Sequence, residues 1–404
     1  MTVAVATAGA ASDPIRVVSQ ASADSLEGTA LIAELEAWAA GSVVIEYESF
    51  DGPTELRAEV LGSNPPDVVI GAWPGLLKEL GAEGGLIDIA QWVPRSTLDN
   101  AFGDYLIDVA EVDGQVFGIP TIANTKGLVW YLPATFATHG YTAPKSFAEL
   151  VALSDEMVAD GFTPWCNYME SSAATGWLGT DWVEHLLLSA EGGAVYDSWV
   201  NHDVLFTDAR VATAFQRFLS MIDTPGYVFD RANMLNTSFR ANTFPLADGD
   251  CLMHNQGYFF RWFDGFNEAD MATFPFPPVS SAHQDATLGA GSHIAAVSSR
   301  TEVRDLIEHV ASDQWGTAAI ADAGIIVPNL QFDTNQYGDM QVRIWADQVH
   351  AAIEADVFRF DGSDLMPAAV GAGSFWQGIS DLVDGARPLS KVLLNIDGSW
   401  PVEG

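Results

Sequence analysis

The chain has 404 residues, and 17 Lys+Arg against 54 Asp+Glu leave a formal charge of −37. That balance excludes a nucleic-acid clamp, which needs a basic surface to displace counterions from phosphates. Hydrophobic residues at 48% and aromatic residues at 11% exclude an acidic disordered polymer and supply a large core.

A surface so rich in carboxylates suits a saline solvent, where the Debye length falls to about 3 Å at 1 M. The same field disfavours anionic ligands, so a neutral ligand is expected. No apolar run reaches the roughly 18 residues needed to cross a bilayer. Residues 1–12 lack the basic and apolar regions of a signal peptide and read as a mature terminus. The two cysteines, Cys166 and Cys251, lie 85 positions apart and form no Cys-x-x-Cys motif or Cys/His cluster that would suggest zinc, which leaves buried thiols or one disulfide.

In chain order, Ile15–Val18 reads as a strand and Leu26–Ala40 as an amphipathic helix with Leu31, Leu35 and Trp38 on one face. Val43–Tyr47 is the next strand, Thr54–Leu61 a helix stopped by Gly62, and Asp67–Ile70 a third strand. Strand, helix, strand, helix, strand begins a mostly parallel sheet in an α/β lobe. Helix Gly75–Gly81 follows, then a hairpin over Val109–Ile119 turning at Asp113-Gly114, and a strand over Val129–Leu132. Ser146 and Glu149 form a capping box that opens a helix toward Ala159. Helices are predicted over Asp181–Ala190, Ala209–Met221 and Phe239–Ala247, and a strand over Cys251–Met253. A Gly289-Ala290-Gly291-Ser292 turn precedes a strand over Ile294–Val297. Helices over Glu302–Ala311, Gln314–Ala323, Val342–Ala355 and Phe375–Asp384 complete the reading. No flexible linker or repeat interrupts the chain, so two lobes would be joined by ordered crossing strands.

Nucleophile-elbow, phosphate-loop, zinc-protease and dinucleotide signatures are all missing. Carboxylates are too abundant for any one pair to single out a glycosidase, although a hydrolase using such a pair is one alternative and a receptor for a cationic solute another. What stands out is a concentration of aromatic, amide and acidic residues in the stretch from Pro164 to Trp182. Aromatic faces cover the C–H patches of a pyranose, while Asp, Asn and Gln take its hydroxyls.

From about Ile15 to Trp400 the chain resembles the sugar-binding proteins of ABC importers related to maltose-binding protein, nearest the α-glucoside binders. The general marks are Asn64-Pro65-Pro66-Asp67-Val68, Asp113 to Pro120, Val129-Trp130-Tyr131 and Pro144 to Leu150. More specific ones are Pro164 to Trp182, Tyr196-Asp197-Ser198-Trp199 with His202, and Phe360 to Pro367 with Phe375-Trp376. The resemblance implies an α/β, two-lobed, type II periplasmic-binding-protein-like fold with a ligand cleft between the lobes and hinge crossovers. The expected lobes are 1–122 with 287–328, and 123–286 with 329–404. It also implies a Cys166–Cys251 disulfide, no enzymatic activity, no cofactor or metal, an extracytoplasmic location, a small neutral sugar ligand and a membrane permease as partner to a monomer.

Carried over residue by residue, the ligand-binding candidates of the first lobe are Asp24, Trp73 and the backbone turn at Gly291 and Ser292. Those of the second are Asn124, Lys126, Trp177, Asp181, Gln256, Tyr258, Asp364, Phe375 and Trp376. Asp181 and Asp364 could instead be helix caps, and Lys126 a surface or hinge ion pair. A glucosylated acid would need a cation, for which Lys126, Arg240 and Arg261 are the candidates.

Overall fold

Three strands organise the N-terminal part of the chain. Ile15–Ser19 pairs in parallel with Ile45–Ser49 on one side and Val68–Gly71 on the other. The helices Leu26–Ala39 and Pro53–Leu61 supply the crossovers that parallel neighbours require. The structure, a computed structural model, describes residues 13–401 and the backbone of a short strand, Val3–Ala4; the rest of the terminus read as mature lies outside the described residues.

The sheet continues beyond Val68–Gly71 through Thr287–Ala296, which runs antiparallel to it, to Phe358–Phe360, and Ile119–Thr125 also pairs with Thr287–Ala296. Two compact units result, 1–124 with 290–360 and 125–289 with 361–404. Residues 329–360, expected in the second lobe, belong to the first unit. The helix Met340–Glu354 leads into Phe358–Phe360, and that strand is hydrogen-bonded into the first unit's sheet. The chain leaves and re-enters through Ile119–Thr125, Thr287–Ala296 and the end of Phe358–Phe360, three strands that are neighbours in that sheet.

Several local readings change. The Gly289–Ser292 segment is not a turn but lies inside the ten-residue strand Thr287–Ala296. A Cβ on Gly291 would stand 2.1 Å from the Ile122 carbonyl oxygen, so glycine there permits a close strand approach. Gln314–Ala323 forms successive turns rather than a helix. Gly316 adopts φ +89°, and the buried Glu34 carboxylate accepts the N–H groups of Gly316, Ala318, Ala319 and Ile320 at 2.9, 3.2, 2.7 and 3.3 Å. Glu34 thus takes the buried place on its helix expected of Trp38, which is half-buried. The hairpin turn is as read, with Asp113 and Gly114 at φ 52° and 78° between Glu111–Val112 and Gln115–Val116.

In the second unit, Leu128–Tyr131 lies between Ala272–Pro275 and Met253–Asn255, antiparallel to both. The strand starts two residues later than expected, which leaves Cys251 just before it. Cys251 is bonded to Cys166 with a Cα–Cα distance of 5.4 Å. The helices Trp177–Glu191 and Ala209–Asp223 pack over a core that holds Trp165, Trp182, Trp199, Phe206, Phe215 and Phe218.

Candidate functional site

The helix carrying the richest sequence block begins at Trp177, four residues earlier than the reading placed it. Gly176 precedes it at φ +117°, and a Cβ there would lie 2.2 Å from the Trp376 carbonyl oxygen. Asp181 is therefore not a cap but stands in the second turn. Trp177 and Asp181 are four apart, and Glu184 and His185 follow at spacings of three and four from Asp181, so all share one side of the helix.

Lys126 enters the same region from the end of Ile119–Thr125, its backbone N–H held by the Leu288 carbonyl at 3.0 Å. The residue is 6% exposed. Its ammonium donates to Asp181 Oδ1 at 2.9 Å and to Asp361 Oδ2, and it lies 4.9 Å from the Trp177 ring centroid. Lys126 is therefore a buried ion pair and not a surface one. Asp361 accepts Ser363 Oγ–H at 2.7 Å and the Asp364 N–H at 3.1 Å. It, and not Asp364, is the cap of the short helix Gly362–Leu365.

The electrostatics follow from three fully or nearly buried carboxyls around one ammonium. Burial alone would lower the Lys126 pKa, but Asp181 and Asp361 outweigh it and hold the ammonium well above its ordinary value. Burial pushes Asp181 up to about 8 despite the pull of Lys126. Burial, with the charges of Asp361 and Asp181, drives Glu184 well above the usual carboxylate range. Burial would raise Asp361 too, yet Lys126 and Ser363 keep it below its ordinary value. The charge of the cluster is thus carried chiefly by the Lys126–Asp361 pair.

The remaining candidates divide. Trp376 is nearly buried and donates its indole N–H to Ser363 Oγ at 3.2 Å, which ties it to the Asp361 segment. Phe375 has no exposed surface and packs between Trp199, Phe206 and Phe215; it is a core residue and cannot stack on a ligand. Tyr258 is also buried, against Trp262. Gln256 Oε1 accepts the Gly257 N–H, while its Nε2 and the buried Oδ1 atoms of Asn124 and Asn255 have no partner among the described residues. Buried amide atoms left unpaired are costly. Asn255 had not been singled out, because an Asn closing a strand carries no distinctive sequence signal.

In the first unit, Trp73 packs on Phe50 in a cluster with Val18, Leu56 and Leu76, which accounts for its burial without a ligand. Asp24 is exposed and bound to Ser22 Oγ at 2.5 Å, a contact that lowers its pKa. Ser292 Oγ donates instead to Glu27, three residues along, at 3.3 Å; burial pushes the Glu27 carboxyl up to about 7. Glu27 was hidden in the sequence by its place in the first turn of a helix, where an acid is ordinary. Of the two other cations considered, Arg261 pairs with Glu268. Arg240 lies over Phe239 and Phe263 beside an open groove of about 360 Å³ that Phe244, Trp262 and Asp264 also line.

Residues 22–316 match the family model described as bacterial extracellular solute-binding protein. The chain belongs to that family. It is a solute-binding protein and not an enzyme, and no helix among the described residues is long and apolar enough to cross a membrane. It is 34% identical over 368 residues to the osmoprotective compounds-binding protein GgtB of Synechocystis sp., covering 90% of this chain and 86% of that one. It is 31% identical over 378 residues to the alpha-glucosides-binding periplasmic protein AglE of Rhizobium meliloti, covering 89% and 81%. Among solved structures, the bacterial solute receptor AcbH, which prefers β-D-galactopyranose, shares the fold with a TM-score of 0.78 at 17% identity over 96% of this chain and 97% of its own. A chitin oligosaccharide binding protein gives 0.76 at 16% identity, over 96% and 98%.

Proposed function

We propose that this protein is the extracytoplasmic substrate-binding component of an ABC importer, capturing an α-glucoside-type sugar, either a disaccharide or a glucosylated polyol. The observation that carries the reading is the Lys126–Asp181–Trp177 constellation: an indole ring for the apolar face of a pyranose beside an ammonium and a carboxyl whose hydrogen-bonding groups suit its hydroxyls. The two long relatives support the substrate class, since one is named for osmoprotective compounds and the other for alpha-glucosides. The cluster also weighs against a cationic solute, because its carboxyls already have an ammonium in Lys126.

Capture on this reading is a shift of population toward a closed, ligand-bound state that the permease recognises. Calorimetry over trehalose, maltose, sucrose and glucosylglycerol tests it. One neutral ligand is expected to bind with Kd of about 1 μM or tighter, and Trp177→Ala to weaken it by about tenfold or more, equal to about 1.4 kcal/mol per decade. Binding of a polyamine or peptide and of no sugar would overturn the substrate class.

A further inference from the structure

The hydrogen bonds of the candidate site extend past the side chains proposed to meet the ligand. Glu184 has no exposed surface and lies one turn beyond Asp181 on the same helix. Three donors converge on its carboxyl. Tyr196 O–H and the Gly362 N–H reach Oε2 at 3.0 and 2.7 Å, and the Ser363 N–H reaches Oε1 at 3.2 Å. Two of these are consecutive backbone groups in the segment by which the chain enters the second unit after residue 360.

That segment in turn holds proposed binding side chains. Asp361 takes the Lys126 ammonium, while Ser363 Oγ donates to Asp361 and accepts the Trp376 indole N–H. Lys126 then meets Asp181 and the Trp177 ring. The contacts run without a gap from Tyr196, in the core, to Trp177.

We propose that Glu184 is a positioning residue for ligand capture, one that never touches the ligand but fixes the Asp361–Ser363 segment and, through it, Lys126 and Trp376. A third buried carboxyl beside Asp181 and Asp361 is a poor choice for stability alone, since desolvation and like charge both oppose it. What a carboxyl offers, protonated or not, is two oxygens that can meet two successive backbone N–H groups. An amide has one, so glutamine would set its NH₂ against either Gly362 or Ser363. The inference rests on the sugar-binding role proposed for Lys126, Trp177 and Trp376.

The test uses the full chain and the tightest sugar of the panel, with Glu184→Gln, Ser363→Ala and the double variant measured by calorimetry alongside thermal melts. Glu184→Gln is expected to weaken binding by about tenfold while remaining folded, with Ser363→Ala similar. The double variant is expected to fall well short of the product, because both changes act through one segment. Tyr196→Phe, which leaves both backbone bonds intact, should cost less than about threefold. Affinity within about twofold of wild type in folded Glu184→Gln, or effects that multiply, overturns the proposal. Should Glu184→Gln fail to fold, Glu184→Asp, with two acceptor oxygens on a stem shorter by one methylene, replaces it under the same two outcomes. If the wild-type chain binds no sugar, the functional reading falls and near-UV circular dichroism of the ligand-free proteins decides the positioning. An indole change in Glu184→Gln matching that of Ser363→Ala, and absent from the remote control Asp160→Asn, supports it. An unchanged spectrum overturns it.

Discussion

The buried acids and histidines of this protein pull its stability in opposite directions as pH changes. Asp181 is raised from 3.8 to about 8, so between those values the folded chain binds its proton more tightly than the unfolded chain does. That contribution is present at low pH and is lost as pH rises toward about 8. His185, His254 and His293 are each lowered from 6.5 to about 4 by burial, so their contribution is present above 6.5 and is lost as pH falls toward about 4. Above 6.5 only the acids still act, with Glu27 adding to the same fall up to about 7. The ligand-free protein should therefore melt at progressively lower temperature from pH 6.5 to 8, and Asp181→Asn should make that decline shallower. Melting curves at pH 6.5, 7.2 and 8 decide; an identical decline in the variant would remove Asp181 from the account. Lys126 was legible in the sequence because lysine is rare here, and Trp177 because of its aromatic surroundings. Glu184 was not singled out at all and Asp361 only as part of a family mark, since two acids among 54 carry no signal until the fold brings them to one ammonium.

At the scale of elements, most strands and helices were readable from apolar periodicity, and the failures have physical causes. A glycine pair in a strand looks like a turn, because the reason for Gly291, a neighbouring carbonyl, lies far away in sequence. The Gln314–Ala323 pattern is helical in composition, yet Glu34 takes its N–H groups from a distance of some 280 positions. The start of the Trp177 helix was missed because Gly176 offers no side-chain cap. Its role there is conformational and steric, which gives a paired prediction. Gly140→Ala, at φ +77° with nothing near the added methyl, should cost about 1 to 2 kcal/mol from the left-handed conformation alone. Gly176→Ala meets the Trp376 carbonyl as well, so it should cost distinctly more and also weaken sugar binding. Denaturant titrations of the two variants check the order, and equal losses would show that the helix start yields freely. The Cys166–Cys251 bond ties two segments 85 positions apart, and removing it with serines should lower stability by about 4 to 5 kcal/mol in the chain-entropy model.

For the molecule as a whole, the charge of −37 and the site are separate matters. Only 17 cationic side chains face 54 acids, so most carboxylates have no opposite charge to meet and repel one another. Raising salt from about 0.1 M to about 1 M shortens the Debye length from about 10 Å to about 3 Å and removes most of that repulsion. The same salt weakens exposed ion pairs, but each of those contributes only about 0 to 1 kcal/mol. The Lys126–Asp361 pair is buried and is screened far less. The midpoint of unfolding should therefore rise with sodium chloride, and rise equally with potassium chloride, since the cause is screening and not a particular cation. The ligand supplies the complementary measurement. A neutral sugar gains nothing from screening, so its Kd should change by less than about twofold over the same range, whereas an anionic glycoside repelled by the surface would bind more tightly as salt rises. Titrating glucosylglycerol and glucosylglycerate at both salt concentrations separates the cases. A melting temperature that stays flat or falls with salt would mean that the surface carboxylates are already compensated. A Kd for the preferred ligand that tightens strongly with salt would move the substrate from the neutral sugars to the sugar acids.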